Sequence, residues 1–307
     1  MYIVSAGHAF NDIDAFGCAI AYAELLRLQG HNAQAVFIGP LNHSVTALAL
    51  AQNADWLSTY TPQADDKLIY VDLSDPKHFA FPNLAASSIV EIYDHHYGFE
   101  DYWQTRLRQN SHIERVGAAA TLIWEEFIKR DLASKISASS ANLLALAILQ
   151  NTLNFTSSET NARDTQAFAE LQPHIDLPSN WQQRYFDECA VELQTNFATT
   201  LRTDTKIVDG LINGKHLVFS QLEITADPTT FLAAYRTQID EYWATIPSSQ
   251  HLINVADIAS KTSLLYSDDA AWLQATIKPL FTHIIAESTN SIIIPIHQRK
   301  QILKLLQ

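Results

Sequence analysis

Two rhythms of apolar residues alternate along the first half of the chain. Short runs rich in β-branched residues lie at 2–5, 34–38, 67–72 and 88–93, and between the first three apolar side chains recur at helical spacing, at 14–28 and 45–52. Strand, helix, strand in this order predicts βαβ units and a mostly parallel sheet. Beyond it, helical patterns are expected at 118–129, 138–153 and 164–171; the second is apolar almost without interruption, which predicts a buried helix.

The segment PHIDLPSN, residues 173–180, breaks this rhythm with two prolines and small polar residues, and a helical stretch follows to about Phe197. A hinge is therefore expected within 177–195, dividing the chain into domains 1–187 and 188–307. The second half predicts strands at 206–209, 217–224 and 291–296, with helices at 228–244 and 270–277. The expected fold class is α/β: an N-terminal mostly parallel sheet flanked by helices plus a smaller C-terminal α+β domain, with the active site in the cleft between them. No internal repeat or low-complexity tract is visible in the sequence.

Length agrees with two domains, since 307 residues with 47% hydrophobic content supply apolar surface for two ordinary cores. Acids outnumber bases 33 to 20, and the resulting net charge of −13 opposes loose attachment to nucleic acid or to an anionic membrane. An anionic ligand would need local cations. Cys18 and Cys189 are too few and too far apart for a disulfide framework or a zinc knuckle. MYIVSAGHAF has no basic region leading into a long apolar stretch, so the expectation is a soluble cytoplasmic protein with no membrane and no nucleic-acid partner.

Three polar clusters follow apolar strands: His8, Asp12 and Asp14 after YIVSA, Asp72 closing KLIYVD, and Asp94-His95-His96 after SIVEIY. Ligands of parallel sheets bind at the carboxyl ends of the strands, so the clusters are placed to converge. Several carboxylates at close range repel unless cations neutralise them, and a mixture of carboxylate and imidazole suits Mn²⁺ or a related divalent ion. Taken singly, each piece has a plain structural alternative. Asp14 suits the N-cap of the next helix, Asp72 suits a cap on the turn in LSDP, and an adjacent histidine pair is usually a surface feature.

Together the segments resemble a known family. GHAFNDIDAF is similar to the first motif of DHH-superfamily phosphoesterases, VDLSD to the second, YDHH to the third and ERVGAAAT to the fourth. Within that superfamily the chain resembles manganese-dependent (family II) inorganic pyrophosphatases and exopolyphosphatases with a DHHA2-type C-terminal domain. AILQNTLNFTS, RTDTKI and QRKQIL resemble later segments of those enzymes.

The resemblance implies two Mn²⁺ per site, with Co²⁺ or Mg²⁺ as alternatives. His8, Asp12 and Asp72 would hold one ion, and Asp14, the bridging Asp72 and His95 the other, joined by the position of Asn151. It assigns catalysis to His96, Asp72 and Lys206 and substrate binding to His96, Lys206, Arg299 and Lys300. The reaction implied is hydrolysis of pyrophosphate or short polyphosphate by a metal-activated water. It also suggests a homodimer through an edge strand, for which the 34–38 run is the candidate.

Three positions depart from the pattern. Asn151 stands where those enzymes have an aspartate ligand, which predicts a weaker second metal site. Gln298 stands where they have an arginine, and Phe10-Asn11 where they commonly show Asn-Pro. Glu159 and Asp164 are nearby acids that would substitute for the missing carboxylate. The alternatives are therefore a DHH phosphoesterase acting on another phosphate ester, or a catalytically impaired phosphate- or metal-binding homologue. A nuclease reading lacks the Gly-rich GGGH-like motif, because the chain has no Gly-Gly pair, and no GxxxxGK[ST] loop supports an NTPase.

Overall fold

The computed structural model describes residues 1–82, 88–212, 215–246 and 249–306. The chain divides into two compact units, Met1–Glu188 and Cys189–Gln307. The first carries strands β1 (Tyr2–Ser5), β2 (Ala33–Val36), β3 (Trp56–Leu57), β4 (Lys67–Val71), β5 (Ile89–Asp94) and β6 (Ser111–Ile113). Its helices are α1 (Ile13–Leu28), α2 (Ala47–Leu50), α3 (Glu100–Leu107), α4 (Ala119–Lys129), α5 (Ala138–Asn151) and α6 (Ala162–Leu171), and α7 (Trp181–Thr195) runs across the division.

All five strand pairings of this unit are parallel, in the order β3-β2-β1-β4-β5-β6. Chain order reverses between β1 and β4, a topological switch point, and in open parallel sheets the crevice for ligands lies beyond the carboxyl ends of the strands there. Ile3, Val36, Leu68, Tyr70 and Ile92 from the sheet pack with Phe79 and Trp103 in one core cluster. Both α1 and α5 are buried along nearly their whole length, which is why neither shows a polar stripe.

The 34–38 run is not an edge. Strand β2 is hydrogen-bonded to β1 on one side and to β3 on the other, through Ala35↔Trp56 and Val36↔Leu57, so the dimer edge expected there is already occupied. The edges of this sheet are the two-residue β3 and the three-residue β6. The N-cap of α1 is Asp12 and not Asp14: the Asp12 Oδ1 accepts from the amides of Asp14 and Ala15, each at 3.0 Å. Likewise Asp75, not Asp72, caps the turn after β4, accepting from the Lys77 amide at 3.0 Å.

The second unit contains α8 (Phe197–Thr203), β7 (Thr205–Ile212), β8 (Lys215–Ile224), α9 (Pro228–Ala244), β9 (Ser249–Asp257), β10 (Thr262–Tyr266), α10 (Ala270–Trp272), β11 (Ala286–Glu287), β12 (Ser291–Pro295) and α11 (Arg299–Leu306). Its sheet runs β11-β12-β10-β9-β8-β7 and is mixed, with β8 and β9 the parallel pair joined through α9. Alternate residues of the strands face opposite cores. Val218, Leu222 and Ile253 pack with Phe231, Ile239 and Trp243 of α9, whereas Leu217, Phe219 and Leu252 pack with Trp272, Ile277 and Ile302. The helix expected at 270–277 is α10 followed by a π-helical turn, Leu273–Ile277. None of the described helices is long and apolar enough to cross a membrane.

Candidate metal centre

Each functional side chain of the first unit leaves the sheet at a strand's carboxyl end. Residues 7–12 connect β1 to α1 and hold His8 and Asp12. This loop is pinned by the His8 amide, which donates to the His78 carbonyl at 3.0 Å, and by the Asn11 amide, which donates to the Pro40 carbonyl at 2.8 Å. Gly39 lies against it so closely that a Cβ there would sit 2.7 Å from the His8 carbonyl oxygen, so only glycine fits.

Asp72 ends β4 with φ of +55°, a left-handed conformation, and its amide donates to the Tyr93 carbonyl of β5 at 2.8 Å. Asp94, wholly buried at the end of β5, organises the two histidines that follow. Its Oδ1 accepts from the His95 amide at 2.7 Å, the His96 amide at 3.1 Å and His96 Nδ1 at 2.8 Å. Burial alone would raise the Asp94 pKa, but the His96 charge and the hydrogen bonds from His96 and Ser74 hold it below the usual carboxylate range.

Imidazole tautomers follow from these partners. The Val116 carbonyl can only accept, so His95 Nδ1, 3.1 Å away, carries the proton. His95 Nε2 then faces Asp72 Oδ1 at 3.3 Å and Asp14 Oδ2 at 3.9 Å, and in the neutral ring it is the nitrogen that offers a lone pair. His8 is held alike, with Nδ1 3.0 Å from the His78 carbonyl. One ligand atom from each of Asp72, His95 and His96 falls within a sphere of mutual distances no greater than 4.8 Å.

Electrostatics mark the same place. The Asp72 pKa is pushed well above the carboxylate range by burial and by the charges of Asp12, Asp14 and Asp94, and its side chain is in hydrogen-bond contact with Asp12. Asp72 Oδ1 is buried and accepts no hydrogen bond. Asp14 is also fully buried; burial and the Asp12 charge raise its pKa to about 7. Three donors oppose that rise: the Ala119 amide at 2.7 Å, the Ala120 amide at 2.8 Å and the Cys18 thiol at 3.3 Å. Burial and the adjacent Asp14 push the Cys18 thiol up, so it stays protonated and acts as that donor. A crowd of carboxylates facing an imidazole lone pair, with an orphaned oxygen between them, is a donor set that a divalent cation satisfies and that water-free burial alone does not.

Asn151 is the last residue of α5, and Thr152, which follows it, lies tight against Gly117. A Cβ on Gly117 would lie 2.8 Å from Thr152 Cγ2 and 2.9 Å from Asp164 Oδ2, and Gly117 directly follows the Val116 carbonyl that orients His95. The chain then turns through Leu153, Asn154 and Phe155 with φ of 50°, 52° and 61°. Three consecutive left-handed residues store strain, about 1–3 kcal/mol each for unfavourable residue types. The Thr152 carbonyl, accepting from the Thr156 and Ser157 amides at 3.0 and 2.9 Å, helps hold the turn.

Asp164 is committed elsewhere. Its carboxylate accepts from the Gly117 amide at 2.9 Å, Thr121 Oγ1 at 2.7 Å and the Asn161 amide at 2.8 Å, closing a capping box on α6. Glu159 accepts from Tyr97, the neighbour of His96, at 2.9 Å. Asp94 is legible in YDHH, whereas Ser74, His78 and the amides of Ala119 and Ala120 carry parts of the site with no sequence signal beyond the small residues in GAAAT.

Lys206, Arg299 and Lys300 belong to the second unit. Lys206 is exposed on the edge strand β7, paired in register with Phe219. Arg299 opens α11 and is half-buried; its guanidinium Nη1 donates to the Asp204 carbonyl and to the Phe219 carbonyl, the latter at 3.1 Å. Gln298 is buried, its amide donating to Gln301 Oε1 at 2.6 Å.

Comparison with known proteins places this geometry. The model of the DHH family, N-terminal domain, matches residues 2–148. Among curated relatives, "Probable manganese-dependent inorganic pyrophosphatase" of Deinococcus radiodurans is 32% identical over 170 residues, 54% of this chain and 52% of that protein. The protein of the same name from Clostridium acetobutylicum is 30% identical over 188 residues, 60% of this chain and 58% of that protein. The chain thus spans only about half the length of the curated relatives it matches. In fold the likeness runs further. A solved structure named "Methanococcus jannaschii putative family II inorganic pyrophosphatase" superposes with a TM-score of 0.73 at 18% identity, covering 100% of this chain and 98% of that one. An exopolyphosphatase-related protein from Bacteroides fragilis follows at 0.53 and 14% identity, covering 99% and 89%.

Proposed function

With residues 2–148 matching the model of the DHH family, N-terminal domain, we propose that the chain is a member of that family and hydrolyses the phosphoanhydride bond of inorganic pyrophosphate or a short polyphosphate with the help of divalent cations. His8, Asp12, Asp14, Asp72 and His95 are the residues that would hold them, with Asn151 at the second position. The observation that carries this reading is the 3.3 Å approach of His95 Nε2 to the orphaned Asp72 Oδ1 while His95 Nδ1 is engaged by Val116. Manganese is the first choice, because the donor set mixes imidazole and carboxylate and the curated relatives are named manganese-dependent. When bound, such cations supply Lewis-acid polarisation of a phosphoryl oxygen and activation of water.

The chain's own groups do the rest. Asp94 fixes the His96 ring through Nδ1, leaving His96 Nε2 as the nitrogen to face a phosphate oxygen and to pass it a proton. Lys206 and Lys300 offset substrate charge in a protein whose net charge is −13, so the attraction of an anion is local. Units 1–187 and 188–307 then act as a metal-binding and a substrate-binding domain.

A second reading follows from Asn151: an amide oxygen is a weaker ligand than a carboxylate, and a chain with a poor second metal would bind phosphate without turnover. Phosphate release separates the two. Metal-stripped protein, with Mn²⁺ added back, is expected to release phosphate from pyrophosphate or tripolyphosphate and to lose that activity on chelation. Turnover indifferent to chelator would sink the hydrolytic mechanism, and silence with both substrates would leave the binding reading standing.

A further inference from the structure

We propose that Arg299 is a positioning residue, which fixes the strand rung carrying Lys206, and not a phosphate contact. The inference rests on the reading of Lys206 as a substrate residue. Lys206 lies on β7, an edge strand that among the described residues pairs with β8 alone. Its register partner on β8 is Phe219, and it follows Asp204 by two residues. Arg299 Nη1 donates to the carbonyls of both Asp204 and Phe219. One guanidinium nitrogen therefore ties Asp204, the residue just before β7, to the strand opposite Lys206.

Its backbone is fixed as well. The Arg299 amide donates to Gln221 Oε1, which also accepts from Asn254 Nδ2 at 3.2 Å, and the Gln221 amide donates to the Asp204 carbonyl at 3.2 Å. Asn254 in turn holds the His297 carbonyl at 2.6 Å, two residues ahead of Arg299. Burial depresses the Arg299 pKa, opposed by the charges of Asp204 and Glu223. A guanidinium nitrogen that donates to two backbone carbonyls, one before β7 and one on β8, with acidic neighbours beside it, is suited to bracing the strand pair.

A double-mutant cycle on the full chain, loaded with Mn²⁺, tests this with imidodiphosphate as a non-hydrolysable probe. Lys206→Met and Arg299→Met are each expected to weaken binding by about tenfold or more, and the double variant no further than either alone, because both changes remove the same lysine contact. Hydrogen exchange adds a readout independent of ligand: Arg299→Met should speed exchange of the amides at 205–208 and leave β10 and β12 protected, while Lys206→Met leaves all three unchanged. Arg299→Lys, which keeps the charge but not the fork, should fall between, and it carries the same cycle if the methionine variant does not fold. Additive losses, or exchange at 205–208 unaltered by Arg299→Met, would overturn the proposal. Absence of imidodiphosphate binding by the wild type would instead remove the proposed function, and the exchange contrast would still decide whether Arg299 braces the strand.

Discussion

Asp72 leaves its strand in the left-handed region, a conformation aspartate tolerates better than most residues because its short polar side chain bonds locally. The turn is held by the Tyr93 carbonyl of the neighbouring strand, so the carboxylate is set before any ligand arrives. Asn151 presents the opposite case, a proposed metal position filled by the weaker ligand chemistry. Thr152 packs on Gly117 and the left-handed turn behind it fixes where α5 ends, so Asn151→Asp adds a charge without moving the backbone. That variant is expected to bind Mn²⁺ about tenfold or more tightly than the wild type, since divalent-ion affinity rises with ligand charge. Equilibrium dialysis checks it; unchanged affinity would mean that Asn151 is no part of the metal site.

At the scale of elements, two helix N-termini meet at the carboxylates. Asp12 caps α1 in the usual way, but α4 has no cap of its own, Ala118 having no side-chain oxygen, and borrows the carboxylate of Asp14 through the amides of Ala119 and Ala120. The arrangement places an anion at a positive helix end, a stabilisation of about 0.3–1 kcal/mol in ordinary cases. The far end of α4 is tied differently. Glu126 accepts from Lys129 at 2.7 Å and from Arg130 at 2.9 Å, and Arg130 reaches Tyr22 of α1 at 2.7 Å. Burial of Glu126 works against ionisation, but the bonds to Lys129 and Arg130 outweigh it and lower its pKa. A carboxyl whose folded pKa is depressed contributes stability above its unfolded value, about 4.3, and that contribution is lost as pH falls through the folded pKa. Glu126→Gln should therefore lower the melting temperature at neutral pH, with the gap from wild type closing below about pH 4.3. A gap that persists unchanged into acid would show that the ion pairs contribute nothing.

Across the whole molecule, legibility in the sequence follows how each element is covered. Strands β1, β4 and β5 read clearly because they are mostly apolar runs followed by polar clusters, and the candidate site at their ends is legible with them. Strands β9 and β10 escaped, although they lie at the centre of the second sheet. Buried polar residues interrupt their patterns, His251, Asn254 and Asp257 on β9 and Ser263 on β10; His251, Asn254 and Ser263 are paired inside the fold by partners distant in sequence. Helix α11 was hidden for a related reason, since QRKQIL begins with polar residues that the fold turns inward against β8. Tertiary partners, not local propensity, decided those places. The claim on which the account depends is that this constellation binds divalent cations through Asp72. Titration of metal-stripped protein with Mn²⁺, followed by the loss of the free-ion electron paramagnetic resonance signal, measures it directly. Wild-type protein is expected to bind Mn²⁺ and Asp72→Asn to lose most of that binding while remaining folded; wild-type protein that leaves the free-ion signal untouched, or a variant that binds as well as wild type, would contradict the account.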